Sequence, residues 1–312
     1  MASDNHPELS IIIPVYNSEK TISPLVEKIL DEAGKICALE IILVNDRSGD
    51  NSEAVCISLY EKFKPRLKYY SLAKNVGEHN AVMAGLNQMN GDFAIIMDDD
   101  FQNPVSELIK LYEFVLINDV DVVYTFYEKK QHSFFRNLGS SFNNRVANIM
   151  LKKPKDLYLS SFKLINRYLV EEIIKYDLPF PYIDGLILRT TSRIGKIQVI
   201  HEKRSEGHSN YTLTKLVNLW MNMFTNFSIL PLRVAMAVGF LFAIFGVGLG
   251  VYSVIEKIMN PSLPLGYTSL IVAIAVFAGI QLIAIGMLGE YLGRMFLSQN
   301  KRPQYSIRKR FE

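Results

Sequence analysis

Two apolar segments near the carboxyl end of the chain limit its fold more than any other feature. Val234–Ile255 and Tyr267–Leu288 each run for 22 residues without a charged side chain. At a rise of about 1.5 Å per residue, each segment is long enough to cross a hydrocarbon core of roughly 30 Å. The alternative is a pair of buried core helices, but a soluble domain of this size seldom needs two such segments side by side. The sequence therefore predicts two membrane-spanning helices.

Basic residues flank these segments unevenly. Arg233 precedes the first, six Lys or Arg residues follow the second between Arg294 and Arg310, and the connector 256–266 has one Lys and one Glu. The positive-inside rule places both flanks in the cytoplasm and the connector outside. The polar first ten residues have no signal-peptide pattern. We expect a multi-pass protein of the cell (inner) membrane, and the net charge of +3 is too small to indicate a nucleic-acid partner.

Before these segments, apolar runs of strand type alternate with segments of helical periodicity. The predicted strands are Leu9–Val15, Glu40–Val44, Leu67–Leu72 and Phe93–Met97, and the predicted helices are Thr21–Ala33, Ser52–Phe63 and Glu78–Asn90. Such alternation indicates βαβ units and a mostly parallel sheet. Right-handed crossovers gather the carboxyl ends of the strands at one edge, where open α/β sheets bind their ligands.

Three consecutive carboxylates, Asp98, Asp99 and Asp100, end the fourth predicted strand. Mg²⁺ prefers oxygen ligands and completes its shell with waters and substrate phosphates, so this position suits a cation with a diphosphate. The alternative is a solvated acidic turn. Alternation along an extended segment points Asp99 away from its neighbours, so we expect Asp99→Ala to be much milder than a change at Asp98 or Asp100. The sequence contains no G-x-G-x-x-G or Walker motif, which disfavours dinucleotide oxidoreductases and P-loop NTPases.

Five short motifs follow one another in register along this part of the chain. They are Ile13-Pro14-Val15-Tyr16-Asn17, Val44–Asp50, Asn75-Val76-Gly77, Gly91-Asp92 and Asp98–Pro104. In order and spacing they resemble the motifs of family 2 glycosyltransferases. With Arg204–Tyr211 and the paired apolar segments, nearly the whole chain resembles the polyprenyl-phosphate glycosyltransferases. That group includes dolichyl-phosphate mannose synthase and the bacterial undecaprenyl-phosphate sugar transferases.

The resemblance implies an α/β fold with four regions. These are a GT-A (Rossmann-like, mostly parallel sheet) cytoplasmic domain at 1–210, amphipathic interfacial helices at 211–232, a two-helix transmembrane hairpin at 233–290 and a basic cytoplasmic tail at 291–312. It also implies a UDP- or GDP-linked sugar as donor, polyprenyl phosphate as acceptor, and Mg²⁺ or Mn²⁺ as cofactor. The membrane and a second copy of the chain, in a homo-oligomer, are the other implied partners.

The resemblance assigns a donor site to the sheet edge. Asp98 would face the ribose or the metal, and Asp100 would ligate the metal. The remaining donor residues are Pro14 and Tyr16 as walls of the base, Asp46 as its polar contact, Asn17 and Asn75 at the same edge, and Arg204 in a loop that closes over the diphosphate. Two alternatives stay open: Asp46 as an Asx-turn or helix N-cap residue, and the Arg204 loop as a flexible charged linker.

An acceptor site is implied further along the chain. Arg136 and Ser140, four residues apart and so on one helix face, would hold the lipid phosphate, with Gln102 and Ser209 on the acceptor side. The alternative for Arg136 is a basic surface helix attracted by anionic lipid. Asp156 joins Asp98, Asp100 and Arg204 in the implied catalytic set. Asp156 and Asp184 are both candidates for orienting the sugar, and an anionic lipid phosphate does not strictly need a general base.

Three positions depart from the family pattern. An acidic residue usually follows the Tyr-Asn pair, where this chain has Ser18. The usual two aspartates after the second strand are Asn45-Asp46 here, and the small residue in the middle of the family's D-x-D is Asp99. These departures bear on donor specificity rather than on the reaction class.

The predicted function is therefore inverting, metal-dependent transfer of a single sugar to polyprenyl phosphate. The alternative is a non-catalytic GT-A-like membrane scaffold or lipid-binding partner, which the retained Asp46, Asp98, Asp100 and Arg204 disfavour. A processive polysaccharide synthase is disfavoured as well, because the chain lacks a Gln-x-x-Arg-Trp stretch and two spans are few for a polymer channel.

Overall fold

The computed structural model describes residues 6–127, 154, 157–179, 181–200, 230–260, 266–300 and 303–312. The chain forms two compact units. The first comprises Met1–Tyr211 together with Lys301–Glu312, and the second comprises Thr212–Asn300. The first unit is an α/β domain, and the described part of the second is a pair of long helices.

The first unit follows the predicted alternation of strands and helices. Its elements are β1 (Leu9–Val15), α1 (Ile22–Glu32), β2 (Leu39–Asn45), α2 (Ser52–Phe63), β3 (Leu67–Leu72), α3 (Glu78–Leu86), β4 (Phe93–Ile96), α4 (Val105–Ile117), β5 (Val122–Tyr127), β6 (Lys163–Asn166), α5 (Arg167–Ile173), α6 (Ile183–Thr190), β7 (Ile194–Val199) and β8 (Ile307–Phe311). All four predicted strands and three predicted helices are confirmed, with ends that differ by four residues at most.

The strands form one sheet in the order β7-β5-β6-β4-β1-β2-β3-β8. The four strands β4, β1, β2 and β3 are mutually parallel, and β6 and β8 run antiparallel to their neighbours. All seven residues of β2 are buried. A parallel strand covered on both faces reads as a continuous apolar run, which is why the sequence pattern located these strands. Their carboxyl ends meet at one edge, as expected.

The carboxyl-terminal tail, predicted as a basic cytoplasmic segment, contains a strand that the sequence analysis did not predict. Residues Ile307–Phe311 form β8, which pairs with β3 and completes the sheet. The Phe311 ring lies 5.4 Å from that of Tyr60 and 5.7 Å from that of Tyr69, and Lys309 Nζ contacts Glu53 at 2.5 Å. The physical reason is that β3 would otherwise be an open edge, and the partly buried Ile307 and Phe311 at the two ends of β8 give it an apolar side.

The second unit consists of α7 (Leu230–Met259) and α8 (Tyr267–Gln299). Both predicted apolar segments lie inside these helices. Each helix contains a stretch long and apolar enough to cross a membrane, Leu232–Met259 and Val276–Gln299. Their apolar side chains are largely exposed, and the two helices touch through the rings of Phe242 and Phe277, 6.4 Å apart.

Candidate active site

Four loops meet at the carboxyl edge of β1, β2, β3 and β4. Each contains a residue in the left-handed region of backbone space: Asn17 (φ 56°), Arg47 (φ 57°), Gly77 (φ 88°) and Phe101 (φ 60°). For residues other than glycine this conformation is costly, and it persists where surrounding contacts enforce it. The concentration of such residues at one edge marks the edge as the candidate site.

Asp46 ties the loop after β2 to the loop after β3. Its two carboxylate oxygens accept the backbone N–H groups of Val76 (2.7 Å) and Gly77 (2.8 Å), and Asn75 Nδ2 donates to its carbonyl oxygen (3.1 Å). Burial raises the pKa of Asp46, and these two backbone bonds oppose that shift. The residue is 4% exposed, and these hydrogen bonds hold the loop after β3 against the loop after β2. It does not cap α2, whose N-cap residue is Asn51.

The loop after β1 is fastened to the loop after β2. Asn17 N–H donates to Ser48 Oγ (3.0 Å), Gly49 N–H donates to Asn17 Oδ1 (2.8 Å), and Ser18 N–H donates to Ser52 Oγ (2.8 Å). These bonds enforce the left-handed conformation of Asn17. The Tyr16 ring remains 47% exposed, which suits stacking against a planar base.

The three adjacent aspartates turn to different partners. Asp98 Oδ2 accepts the Ser161 hydroxyl (2.7 Å), and Asp100 Oδ1 accepts the Gln102 N–H (3.1 Å). Asp99 Oδ2 accepts the Tyr16 N–H (3.3 Å) and the Ser18 hydroxyl. Removal from water raises the pKa of Asp99 to about 6, and the charges of Asp98 and Asp100 act in the same direction. Through these bonds Asp99 connects the loop after β4 to the loop after β1, and the expected effect of Asp99→Ala stays a prediction.

Asp98 and Asp100 fit one part of a divalent-cation site. Both are partly exposed at the edge and offer the hard oxygen ligands that Mg²⁺ and Mn²⁺ accept. Among the described residues, no three His, Cys, Asp or Glu side chains form a group that could hold an ion. A cation here would draw its remaining ligands from water and a substrate diphosphate, as Mg²⁺ commonly does.

A buried ion pair lies beneath the same edge. Lys163 Nζ donates to Asp184 Oδ1, which also accepts the Tyr124 hydroxyl (2.8 Å), and the ammonium lies 5.2 Å from the Tyr124 ring centre. Lys163 pairs in register with Ile96, two residues before Asp98. Asp184, a candidate for orienting the sugar, is therefore engaged in the floor of the site.

Sequence reasoning missed two residues at the start of α3. The charges of Asp99, Asp100, Lys163 and Asp184 all act on Glu78, whose pKa is raised mainly by loss of water around its carboxylate, although the residue keeps exposed surface. Burial lowers the pKa of His79 to about 4, and its ring packs edge-on against Tyr182 at 5.1 Å. Their position directly after Gly77, at the edge of a parallel sheet, was the available signal.

The remaining sequence-predicted site residues lie outside the described part of the chain. They are Arg136, Ser140, Asp156, Arg204 and Ser209, together with most of the segment expected to form interfacial helices. Pro14, Tyr16, Asn17, Asp46, Asn75, Asp98, Asp100 and Gln102 are described, and all of them lie at the carboxyl edge of β1–β4 or in its loops.

Comparison with known proteins gives two family matches. Residues 10–174, more than half of the chain, match the model of glycosyl transferase family 2, and residues 230–295 match the GtrB C-terminal hairpin. The chain is 31% identical to an undecaprenyl-phosphate 4-deoxy-4-formamido-L-arabinose transferase of Photorhabdus laumondii, over 99% of this chain and 96% of that protein. A transferase of the same description from Serratia proteamaculans is 32% identical over 97% and 93% of the two chains.

Solved structures share the fold at low sequence identity. A mycobacterial protein superposes with a TM-score of 0.53 at 16% identity, covering 71% of this chain and 75% of that one. Glucosyl-3-phosphoglycerate synthase from Mycobacterium tuberculosis, in complex with Mn²⁺, uridine diphosphate and phosphoglyceric acid, gives 0.51 at 17% identity, over 69% and 75%. At these identities the likeness supports the fold alone.

Proposed function

The chain belongs to glycosyl transferase family 2, and on that premise we propose that it moves one sugar, with inversion, from a nucleotide sugar to undecaprenyl phosphate at the cytoplasmic membrane face. One observation carries the proposal. Relatives described as undecaprenyl-phosphate 4-deoxy-4-formamido-L-arabinose transferases align with nearly the whole chain, the two apolar helices included.

On the donor side, the exposed Tyr16 ring would wall the base, and the loop held by Asp46 would form the opposite wall. Asp98 and Asp100 would hold Mg²⁺ or Mn²⁺ with the diphosphate. When bound, such a cation offsets the charge that develops on the departing nucleoside diphosphate. Arg204, outside the described residues, would add a second positive charge over the same group.

On the acceptor side, a phosphate oxygen of the lipid would attack the anomeric carbon of the sugar. The new carbon–oxygen bond forms as the bond to the nucleoside diphosphate breaks, and the bonding pair leaves with the diphosphate. A phosphate monoester already carries about −1.5 to −2 charges at neutral pH, so the attack requires no general base. Arg136 and Ser140 would fix that phosphate, Gln102 and Ser209 would lie on the same side, and Asp156 would orient the sugar.

The membrane arrangement follows from chain connectivity. The chain leaves the first unit after Tyr211 and rejoins its sheet as β8. If α7 and α8 both cross the bilayer, two crossings return the chain to the side from which it left. Arg233, Arg294 and the basic residues at 301–302 would keep that side cytoplasmic.

The direct test is a transfer assay with the purified full-length protein in lipid bilayers. It combines undecaprenyl phosphate, Mg²⁺ or Mn²⁺, and a panel of labelled UDP- and GDP-sugars that includes nucleotide-linked 4-deoxy-4-formamido-L-arabinose. We expect one labelled donor to yield a chloroform-soluble product. Nucleotide binding without such a product from any donor would favour the non-catalytic scaffold.

The Arg136→Ala variant tests the acceptor assignment in the same assay. A lost charge-assisted contact to phosphate costs about 1.5–3 kcal/mol, so the KM for undecaprenyl phosphate should rise roughly ten- to a hundredfold. Donor KM should hardly change. An equal loss of donor affinity would contradict the assignment.

A further inference from the structure

The middle carboxylate of the acidic triad joins two loops of the site. Asp99 follows β4, yet its partners lie on the loop after β1: the Tyr16 N–H donates to its Oδ2 at 3.3 Å, and the Ser18 hydroxyl donates to the same oxygen. β1 and β4 are neighbouring parallel strands, with Ile12 opposite Ile96, so the two loops emerge side by side.

Ser18 is also hydrogen-bonded to Ser52, the first residue of α2. The residue is buried, its N–H donates to Ser52 Oγ at 2.8 Å, and the Ser52 hydroxyl donates to Asp50 Oδ1 at 2.6 Å. Ser18 therefore links Asp99 to the start of α2. These hydrogen bonds anchor the backbone of the loop that carries Tyr16, which is itself exposed.

Ser18 and Asp99 are 81 residues apart in the chain, and their side chains form a hydrogen bond.

We infer that Asp99 is a positioning residue, which fixes the Tyr16 loop relative to Asp98 and Asp100 by accepting hydrogen bonds from Tyr16 and Ser18. The inference rests on the proposed function, because the loop it fixes is the wall assigned to the donor base. Asp99 acts here as an acceptor of hydrogen bonds and not as a metal ligand. Asp99 connects the loop of Tyr16, assigned to the donor base, with Asp98 and Asp100, assigned to the metal and diphosphate. Losing Asp99 should therefore weaken donor binding more than turnover.

The test compares variants that separate an acceptor from a charge. Asp99→Asn keeps a carbonyl oxygen for both bonds, whereas Asp99→Ala removes it. In the full-length protein, we expect Asp99→Ala to raise the donor KM and the Kd for nucleoside diphosphate by about tenfold or more, because both hydrogen bonds to the carboxylate are lost. Asp99→Asn should stay within about threefold of wild type, and kcat should change less than KM in both.

The contact between Ser18 and Asp99 is tested by exchanging the two kinds of side chain. Ser18→Glu alone places two carboxylates in contact, which repel each other, so it should weaken nucleotide binding by more than about tenfold. Combining it with Asp99→Ser removes the repulsion and returns a carboxylate–hydroxyl pair. The double variant should therefore bind nucleotide within about fivefold of wild type, a strong coupling in a double-mutant cycle.

Thermal unfolding supplies a readout that needs no substrate. The same cycle should show coupling in Tm, because the contact exists whatever the protein transfers. If wild type binds no nucleoside diphosphate, the proposed function fails while coupling in Tm survives. Asp99→Asn as damaging as Asp99→Ala, or a double variant no better than Ser18→Glu, would overturn the inference itself.

Discussion

The sheet domain and the helix pair use apolar side chains in opposite ways. In the domain, Ile11, Ile41 and Leu43 on the central strands are fully buried, and polar side chains gather at one edge of the sheet. In α7 and α8 the apolar side chains point outward, with Phe240 67% and Leu282 69% exposed. A water-soluble protein rarely exposes such continuous apolar surface, so the helices are suited to lipid. On the proposed function, the sheet domain carries the reaction and the helix pair anchors the chain in the membrane.

The largest expected effect is the loss of sugar transfer when a proposed metal ligand is removed. Asp100→Ala should reduce transfer by about a hundredfold or more, since removing one group aimed at developing charge costs this much in other enzymes. Chelation of the wild-type protein with EDTA should do the same. The matched control is Asp31→Ala, at an exposed carboxylate paired with Lys35, which should keep nearly full activity. Full activity of the wild-type protein in EDTA would contradict metal-dependent transfer.

The next prediction concerns a variant in which the sheet domain lacks the helix pair. Replacing residues 212–300 by a flexible Gly/Ser linker removes both helices but keeps β8 joined to the sheet. Without the hairpin the domain meets bilayer-confined acceptor only by diffusion, so transfer to undecaprenyl phosphate should fall by about a hundredfold or more. Binding of nucleoside diphosphate and transfer to a short, water-soluble polyprenyl phosphate should persist.

A chain that ends near Asn210 is the informative comparison for that variant. It lacks β8 as well as the helices, which leaves the β3 edge and the rings of Tyr60 and Tyr69 uncovered. We expect it to bind nucleotide more weakly and to unfold at a lower temperature than the linker variant. Equal stability of the two would mean that β8 contributes nothing to the domain.

Breaking the buried pair under the site comes next. Lys163→Met leaves the buried Asp184 without its cation, which should lower the free energy of unfolding by about 3–5 kcal/mol. The matched change in the exposed pair, Lys35→Met beside Asp31, should cost less than about 1 kcal/mol. Denaturant titration of both variants measures the difference, and similar losses would show that burial does not set the strength of these pairs.

A smaller effect compares two phenylalanines of opposite exposure. Phe311→Ala on β8 should destabilise the domain by about 2 kcal/mol, because its partly buried ring packs against Tyr60 and Tyr69. Phe245→Ala on α7 removes a ring that is 60% exposed and should leave the domain's unfolding in detergent unchanged. Far-UV circular dichroism would follow the unfolding of both variants.

The sequence predicted the parts of the fold that depend on local pattern. Continuous apolar runs and helical periodicity encode β1 to β4 and the helices between them, so their positions could be predicted. β8 was missed because Arg308, Lys309 and Arg310 dominate its composition, and only pairing with β3 explains it. The site's residue types were predicted, but their contacts were not: Asp46 bonds to backbone groups of Val76 and Gly77, whose direction depends on loop conformation.

Cysteine accessibility in intact cells tests the proposed membrane orientation most directly. Ser262→Cys in the connector and Ser306→Cys before β8 are introduced separately into a background carrying Cys37→Ala and Cys56→Ala, which removes both native thiols. A membrane-impermeant maleimide should label the first variant from outside, and should label the second only after permeabilisation, because Ser306 is exposed on the domain side. Labelling at Ser306 in intact cells would contradict the orientation, and with it the cytoplasmic active site.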